Sequence, residues 1–225
     1  MRIMAVYCLL NEERRFIFCV DPKCGCTTIK NWFIRILDKP NSKKPIKIAT
    51  WMVPANSVGS LDDYLKIWFV RDPFRRLVSF YYQFVVKQPK HWNFADHNKQ
   101  ETLADSTFQE FIQIVGDLHD RGERLQHHLQ LQTRTLLEVD FDAIVKIENL
   151  ENRKKELMAM IDVDVEPQHY NRQKKTDEIM QNAYLLTPEE LKKAPVYDYS
   201  SFWNNDLLAT VERVYAKDCE FYRSL

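Results

Sequence analysis

The stretch FIFCVDPKCGCTTIK, residues 16–30, decides the fold. An apolar run from Phe16 to Val20 leads straight into Asp21-Pro22-Lys23-Cys24-Gly25-Cys26-Thr27-Thr28, and an amphipathic segment opens at Ile29. A strand, a tight loop with a lysine and a helix start, in that order, build an anion site. N–H groups in the first turn of a helix have no intrahelical partner and carry partial positive charge, so they hold phosphate-like groups. Lys23 adds a full charge, and Thr27 and Thr28 add hydroxyl donors. The loop is not the G-x-x-x-x-G-K-S/T pattern of a nucleoside triphosphate site. Here the lysine precedes the glycine, and no Gly-Lys-Ser or Gly-Lys-Thr occurs.

A second apolar run, LKIWFV from Leu65 to Val70, reads as a buried strand. It ends in Arg71-Asp72-Pro73-Phe74-Arg75-Arg76-Leu77-Val78-Ser79. Asp72 is placed as an N-cap and Pro73 in the first turn of a helix, where its missing N–H costs nothing. Arg71 stands at the strand's carboxyl end, the side on which open α/β sheets bind ligands. An arginine fork and the Ser79 hydroxyl suit a second phosphate.

At these two motifs the chain resembles the sulfotransferases that use 3′-phosphoadenosine 5′-phosphosulfate (PAPS). PKCGCTT is similar to the family's 5′-phosphosulfate loop, and VRDPFRRLVSFYYQF to its 3′-phosphate segment. The wording is nearest to the carbohydrate branch of chondroitin, dermatan and HNK-1 type, sulfotransferase family 2. Weaker similarity continues through FQEF (108–111), HLQLQ (128–132), FDAIVKIENL (141–150) and VYAKDCEFY (214–222). It spans most of residues 16–222.

The resemblance implies roles. Lys23 meets the leaving phosphate. Pro22, Lys23, Cys24, Gly25, Cys26, Thr27 and Thr28 hold the 5′-phosphosulfate, and Arg71 and Ser79 the 3′-phosphate. Lys174, with Lys175 in the basic stretch EPQHYNRQKK (166–175), covers the cofactor. The general base is the open point, because the residues before the second motif contain no histidine. His128 matches the family's histidine position and His127 is next to it; Asp62 or Asp63 is the alternative. Arg75 or Arg76 approaches the cofactor or is merely solvated. Trp32 and Trp51 stack on adenine or, the preferred reading, pack in the core.

The chain has 225 residues, 45% hydrophobic and 28% charged, which suits a single domain over 1–225. Lys+Arg and Asp+Glu both number 32. This balance argues against nucleic acid as a partner and confines positive potential to a site. No apolar run is long enough to span a membrane. The opening MRIMAVYCLL reads as a strand rather than a signal segment. The Golgi relatives carry an N-terminal anchor, so two expectations stand: an excised core from the Golgi lumen, or, favoured, a soluble cytoplasmic, bacterial enzyme. Cys8 and Cys19 are expected as buried thiols, Cys24-Gly25-Cys26 lacks zinc-site spacing, and no metal is expected; the cysteine usage suits a reducing compartment.

Along the chain the pattern predicts strands at 2–10, 16–20, 46–50, 65–70 and 143–146. It predicts helices at 27–37, near 60–64, and at 73–86, 107–118, 123–133, 150–161 and 205–222. Residues 88–106 form a surface excursion. This alternation predicts an α/β, three-layer P-loop-like fold with a central parallel β-sheet flanked by helices. The expected function is sulfuryl transfer from PAPS to a hydroxyl or amine of a carbohydrate or small-molecule acceptor. The alternatives are a catalytically degenerate relative that binds nucleotide, and a P-loop nucleotide or nucleoside kinase. Neither acceptor identity nor oligomeric state is legible.

Overall fold

The computed structural model describes residues 7–37, 52–54, 61–87, 105–137, 139–168 and 179–225. The chain divides into two compact units, one of Met1–Arg71 with Gln132–Arg172 and the terminal Leu225, the other of Asp72–Leu131 with Gln173–Ser224.

The first unit carries the sheet. Strands β1 (Tyr7–Asn11) and β2 (Phe16–Val20) form a hairpin, whose turn is fixed by the Arg14 N–H donating to the Asn11 side chain at 2.9 Å. Helix α1 (Cys26–Ile36) follows, then β3 (Met52–Pro54), β4 (Leu65–Val70), β5 (Ala143–Lys146) and helix α4 (Leu150–Met160). The strand order is β3-β1-β2-β4-β5. Strands β2, β4 and β5 are parallel, whereas β1 runs antiparallel to both β2 and β3. The fold is thus α/β with helices packed on a central sheet, as expected. The sheet is parallel only in its β2-β4-β5 part, because a short turn between consecutive strands yields a hairpin, while a parallel pair needs a crossover. Phe16, Phe18 and Val20 alternate onto one face of β2 and pack against Trp32 and Phe33 of α1. All of β2 is buried, which is why it reads as a continuous apolar run.

The antiparallel register places Cys8 opposite Cys19, and the two form a disulfide with a Cα–Cα distance of 4.3 Å. This overturns the expectation of buried thiols, and with it the argument from cysteine usage for a reducing compartment. Cys24, Cys26 and Cys219 form no disulfide.

The second unit is helical among its described residues. It contains α2 (Pro73–Tyr81), extended by a π turn over Tyr82–Val86, and α3 (Phe108–Asp120). Helices α5 (Pro188–Lys193), α6 (Asn205–Val214) and α7 (Ala216–Ser224) complete it. Capping boxes start α3 (Thr107 with Glu110) and α5 (Thr187 with Glu190). Its core gathers Phe80, Tyr81, Phe108, Phe111, Leu207 and Val211. At Gly116 a Cβ would lie 3.0 Å from Thr210 Cγ2, so α3 and α6 pack closely there.

Four expected elements differ. Residues 61–64 form a turn closed by the Tyr64 N–H on the Leu61 carbonyl, not a helix. The helix from 73 ends at Tyr81, before the π turn. The closing helix breaks at Tyr215 into α6 and α7. No helix forms over 123–133, for the reason given below. The expected strand at 46–50, the first residues of that at 2–10, and most of the 88–106 excursion lie outside the described residues. Among the described residues, no helix is long and apolar enough to cross a membrane.

Candidate functional site

The loop between β2 and α1 is built around the Asp21 carbonyl. It accepts the Cys24 N–H at 3.1 Å and the Cys26 thiol at 3.0 Å, folding the chain back on itself. The buried Asp21 carboxylate accepts from the Trp68 indole N–H at 3.0 Å and the Thr135 hydroxyl at 3.3 Å, and lies 3.5 Å from Arg134. The loop therefore starts from a fixed point in the sheet.

Two of its residues are left-handed, Lys23 at φ 69° and Gly25 at φ 80°. For Gly25 the requirement is double, because a Cβ would also lie 2.6 Å from Ile147 Cγ1. Gly25 is the N-cap of α1, with no side-chain cap and no acidic residue in the first turn. The Gly25 carbonyl accepts the first helical bond, from the Ile29 N–H at 3.0 Å. The positive end of α1 thus opens behind Lys23, with nothing anionic on the helix to neutralise it. Pro22, Lys23, Cys26 and Thr27 are half-buried, while Cys24 and Thr28 are buried.

Arg71 directly follows β4 in the same unit. Its guanidinium donates to the Lys23 carbonyl at 2.8 Å and its Nε lies 3.8 Å from Glu148. The structure therefore brings Arg71 to the Lys23 loop. Buried Gln132 joins them: its Oε1 accepts from the Arg71 N–H at 2.9 Å and from the Cys24 thiol at 2.8 Å, and its Nε2 donates to the Arg71 carbonyl at 2.8 Å. Gln132 and Glu148 were not singled out for a role from sequence; both sit inside the stretches HLQLQ and KIENL, whose motif similarity was the available signal.

The remaining candidates in this unit do not gather there. Asp62 is exposed, and Asp63 forms an exposed ion pair with Arg15 at 2.7 Å. Trp32 is fully buried against Phe18 and donates its indole N–H to the Val165 carbonyl, so it packs in the core and does not stack on a ligand. Trp51, Lys174 and Lys175 lie outside the described residues.

In the second unit, Asp72 caps α2 by accepting the Arg75 N–H at 2.9 Å, and Pro73 takes the first turn. Ser79 is half-buried on the same helix. Arg75 is exposed and lies over the Tyr199 ring. Arg76 is not solvated as a helix arginine usually is. Only 2% exposed, it lies 3.9 Å from buried Asp218 and donates to the His128 and Gln130 carbonyls at 2.9 and 2.8 Å. Between them, the Leu129 carbonyl accepts from the Tyr215 hydroxyl at 2.7 Å. Three consecutive carbonyls that a helix would use are taken by side chains, and the expected helix gives way to an irregular segment. That segment presents His127 and His128, half-buried with ring centroids 3.8 Å apart. His128 is flanked by Phe84 and Phe80, its ring Nδ1 lies 3.0 Å from the Gln126 amide, and its N–H donates to Gln126 Oε1. Burial pushes the Tyr82 hydroxyl up to about 12 and the Cys219 thiol up to about 11, and raises Tyr81 and Tyr215 further. Among the described residues no group of His, Cys, Asp and Glu could hold a metal ion.

A family model described as "Sulfotransferase family" matches residues 7–223. The chain belongs to the sulfotransferase family. The chain is also similar to two curated proteins, Carbohydrate sulfotransferase 11 of Rattus norvegicus and of Mus musculus. Each is 26% identical to it over 181 residues, which cover 64% of this chain and 49% of the relative. The chain thus spans about half the length of the curated relatives it matches. No solved structure matches this chain.

Proposed function

We propose that this protein transfers a sulfuryl group from PAPS to a hydroxyl of a carbohydrate acceptor. The observation that carries the reading is the Lys23 loop: a half-buried lysine set left-handed immediately before an uncapped helix N-terminus that bears no acidic residue. The residues present fit a doubly phosphorylated donor. The first-turn N–H groups of α1, the Lys23 ammonium and the Thr27 hydroxyl suit a phosphosulfate, and the Arg71 fork suits a phosphate. When bound, PAPS supplies the sulfuryl group and a phosphate leaving group.

The chain's own residues then do the rest. Lys23 neutralises charge on the departing oxygen, and the α1 N-terminus orients the transferred group by fixed dipoles that need no reorganisation. The motif similarity assigns the 3′-phosphate to Arg71 with Ser79, and the charge of the basic stretch 166–175 offers Lys174 to cover the donor. It assigns the acceptor's proton to His128, with His127 beside it. In the second unit the clamped segment 127–130 gives these histidines a fixed backbone, as a base must have. A carbohydrate acceptor is supported by the similarity to the two carbohydrate sulfotransferases.

Calorimetric titration with adenosine 3′,5′-bisphosphate and with Mg-ATP tests the donor. Tight, magnesium-independent binding of the bisphosphate is expected; preference for Mg-ATP would sink the reading in favour of a kinase. Incubation with labelled PAPS and a panel of polysaccharides and small alcohols then reads the acceptor.

A further inference from the structure

We infer that Gln132 is a positioning residue of the transfer site: one buried amide locks the Lys23 loop to the end of β4 and holds the lysine in its left-handed setting. The inference rests on the proposed role of Lys23. Gln132 is 3% exposed, and its polar atoms are spent on two segments far apart in sequence. Toward β4, its Oε1 accepts the Arg71 N–H at 2.9 Å while its Nε2 donates to the Arg71 carbonyl at 2.8 Å. This double exchange is what a neighbouring strand residue would make, and it fixes which way the amide points, because only one orientation satisfies both groups. Toward the loop, the second lone pair of Oε1 accepts the Cys24 thiol at 2.8 Å.

The connection closes on itself. Lys23 leads by a peptide bond to Cys24, Cys24 reaches Gln132 through its thiol, Gln132 holds the Arg71 main chain, and the Arg71 guanidinium returns to the Lys23 carbonyl at 2.8 Å. A non-glycine residue at φ 69° is disfavoured and persists only when its surroundings over-determine it. The ring supplies that determination, with one bond on the carbonyl of Lys23 and one on the next side chain. Displacing a reacting group by about 1 Å can cost on the order of 100-fold in rate.

Two substitutions separate positioning from bulk stability. Gln132→Met keeps the volume and removes every bond. Gln132→Glu keeps both acceptor contacts and sets an oxygen against the Arg71 carbonyl. Hydrogen exchange of the amides at 23–27 is read below the melting transition, with the amides of α6 as internal control. Loop exchange is expected to rise roughly tenfold or more in either variant, with the control unmoved. With PAPS as donor, kcat is expected to fall on the order of 10–100-fold, with the acceptor KM unchanged.

Unchanged loop exchange overturns the inference. So does loosened exchange with wild-type kcat, or a lowered melting temperature with wild-type exchange and kinetics. If Gln132→Met fails to fold, Gln132→Glu decides. If wild-type protein binds no bisphosphate, the donor reading fails by that result alone, and the exchange data still decide whether Gln132 fixes the loop.

Discussion

Arg76 and Asp218 face each other at 3.9 Å with both side chains out of solvent. Removing one partner of such a pair leaves an uncompensated buried charge, a loss on the order of 3–5 kcal/mol. Arg76 also satisfies two carbonyls of the irregular segment. Arg76→Met is therefore expected to destabilise the protein strongly in urea, and Asp218→Asn to do so less, since the amide keeps an acceptor. An Arg76→Met midpoint equal to wild type would contradict this account.

Lys23 offers a trade between stability and activity. Glycine tolerates φ 69° without the penalty that lysine bears, so Lys23→Gly is expected to raise stability by about 1 kcal/mol while abolishing transfer. Lys23→Ala also abolishes transfer, with modest loss of bisphosphate affinity, because the lysine acts on the departing oxygen. Thermal melts beside single-turnover assays check both halves.

Gly25→Ala should be severe. Its Cβ would sit 2.6 Å from Ile147 Cγ1 on a backbone at φ 80°. The loop must shift, and bisphosphate binding is expected to weaken on the order of tenfold or more. Ile147→Ala in the Gly25→Ala background relieves the contact but not the strain, so calorimetry should show partial recovery only.

The two histidines separate by turnover. His128→Ala is expected to lower kcat on the order of 100-fold or more with bisphosphate binding intact, and His127→Ala to have the smaller effect. Full turnover in His128→Ala would remove it as the base.

The second unit should be alkali-labile. The ordinary values are 10.0 for Tyr81, Tyr82 and Tyr215 and 9.0 for Cys219, and burial raises all four in the folded chain. Above pH 9 the unfolded state therefore holds fewer of these protons than the folded state, so stability falls as pH rises. The neutral forms contribute fully below the unfolded values. The loss grows by about 1.4 kcal/mol per pH unit for each group passing its unfolded value, across roughly pH 9–12. Urea midpoints taken at pH 8 and pH 11 measure it.

Much of the sheet and of the helix starts beside it was legible because the signals are local. The β2–loop–α1 order, the Asp72 cap, Pro73, and the apolar runs of β4 and β5 each declare themselves within a few residues. What was missed depends on distant partners. The polar run from Glu123 to Thr133 has helical composition, but Arg76 and Tyr215 take its carbonyls. The Cys8–Cys19 bond depends on the hairpin register: the two consecutive strands were legible, but not the pairing that sets Cys8 opposite Cys19. Arg76 looked like a surface arginine because Asp218 lies far along the chain. Gln132 carried no charge or spacing to mark it; its role exists only once Arg71 and Cys24 converge on it.

The Cys8–Cys19 bond has a consequence for handling the protein. The turn between β1 and β2 exposes Arg14 and Arg15, two sites open to trypsin. A cut there severs the peptide chain, yet the amino-terminal fragment stays covalently attached, because the disulfide spans the nick. Nicked and intact protein would have nearly the same mass without reductant and separate only after thiol treatment, so purity judged on a non-reducing gel would miss the break.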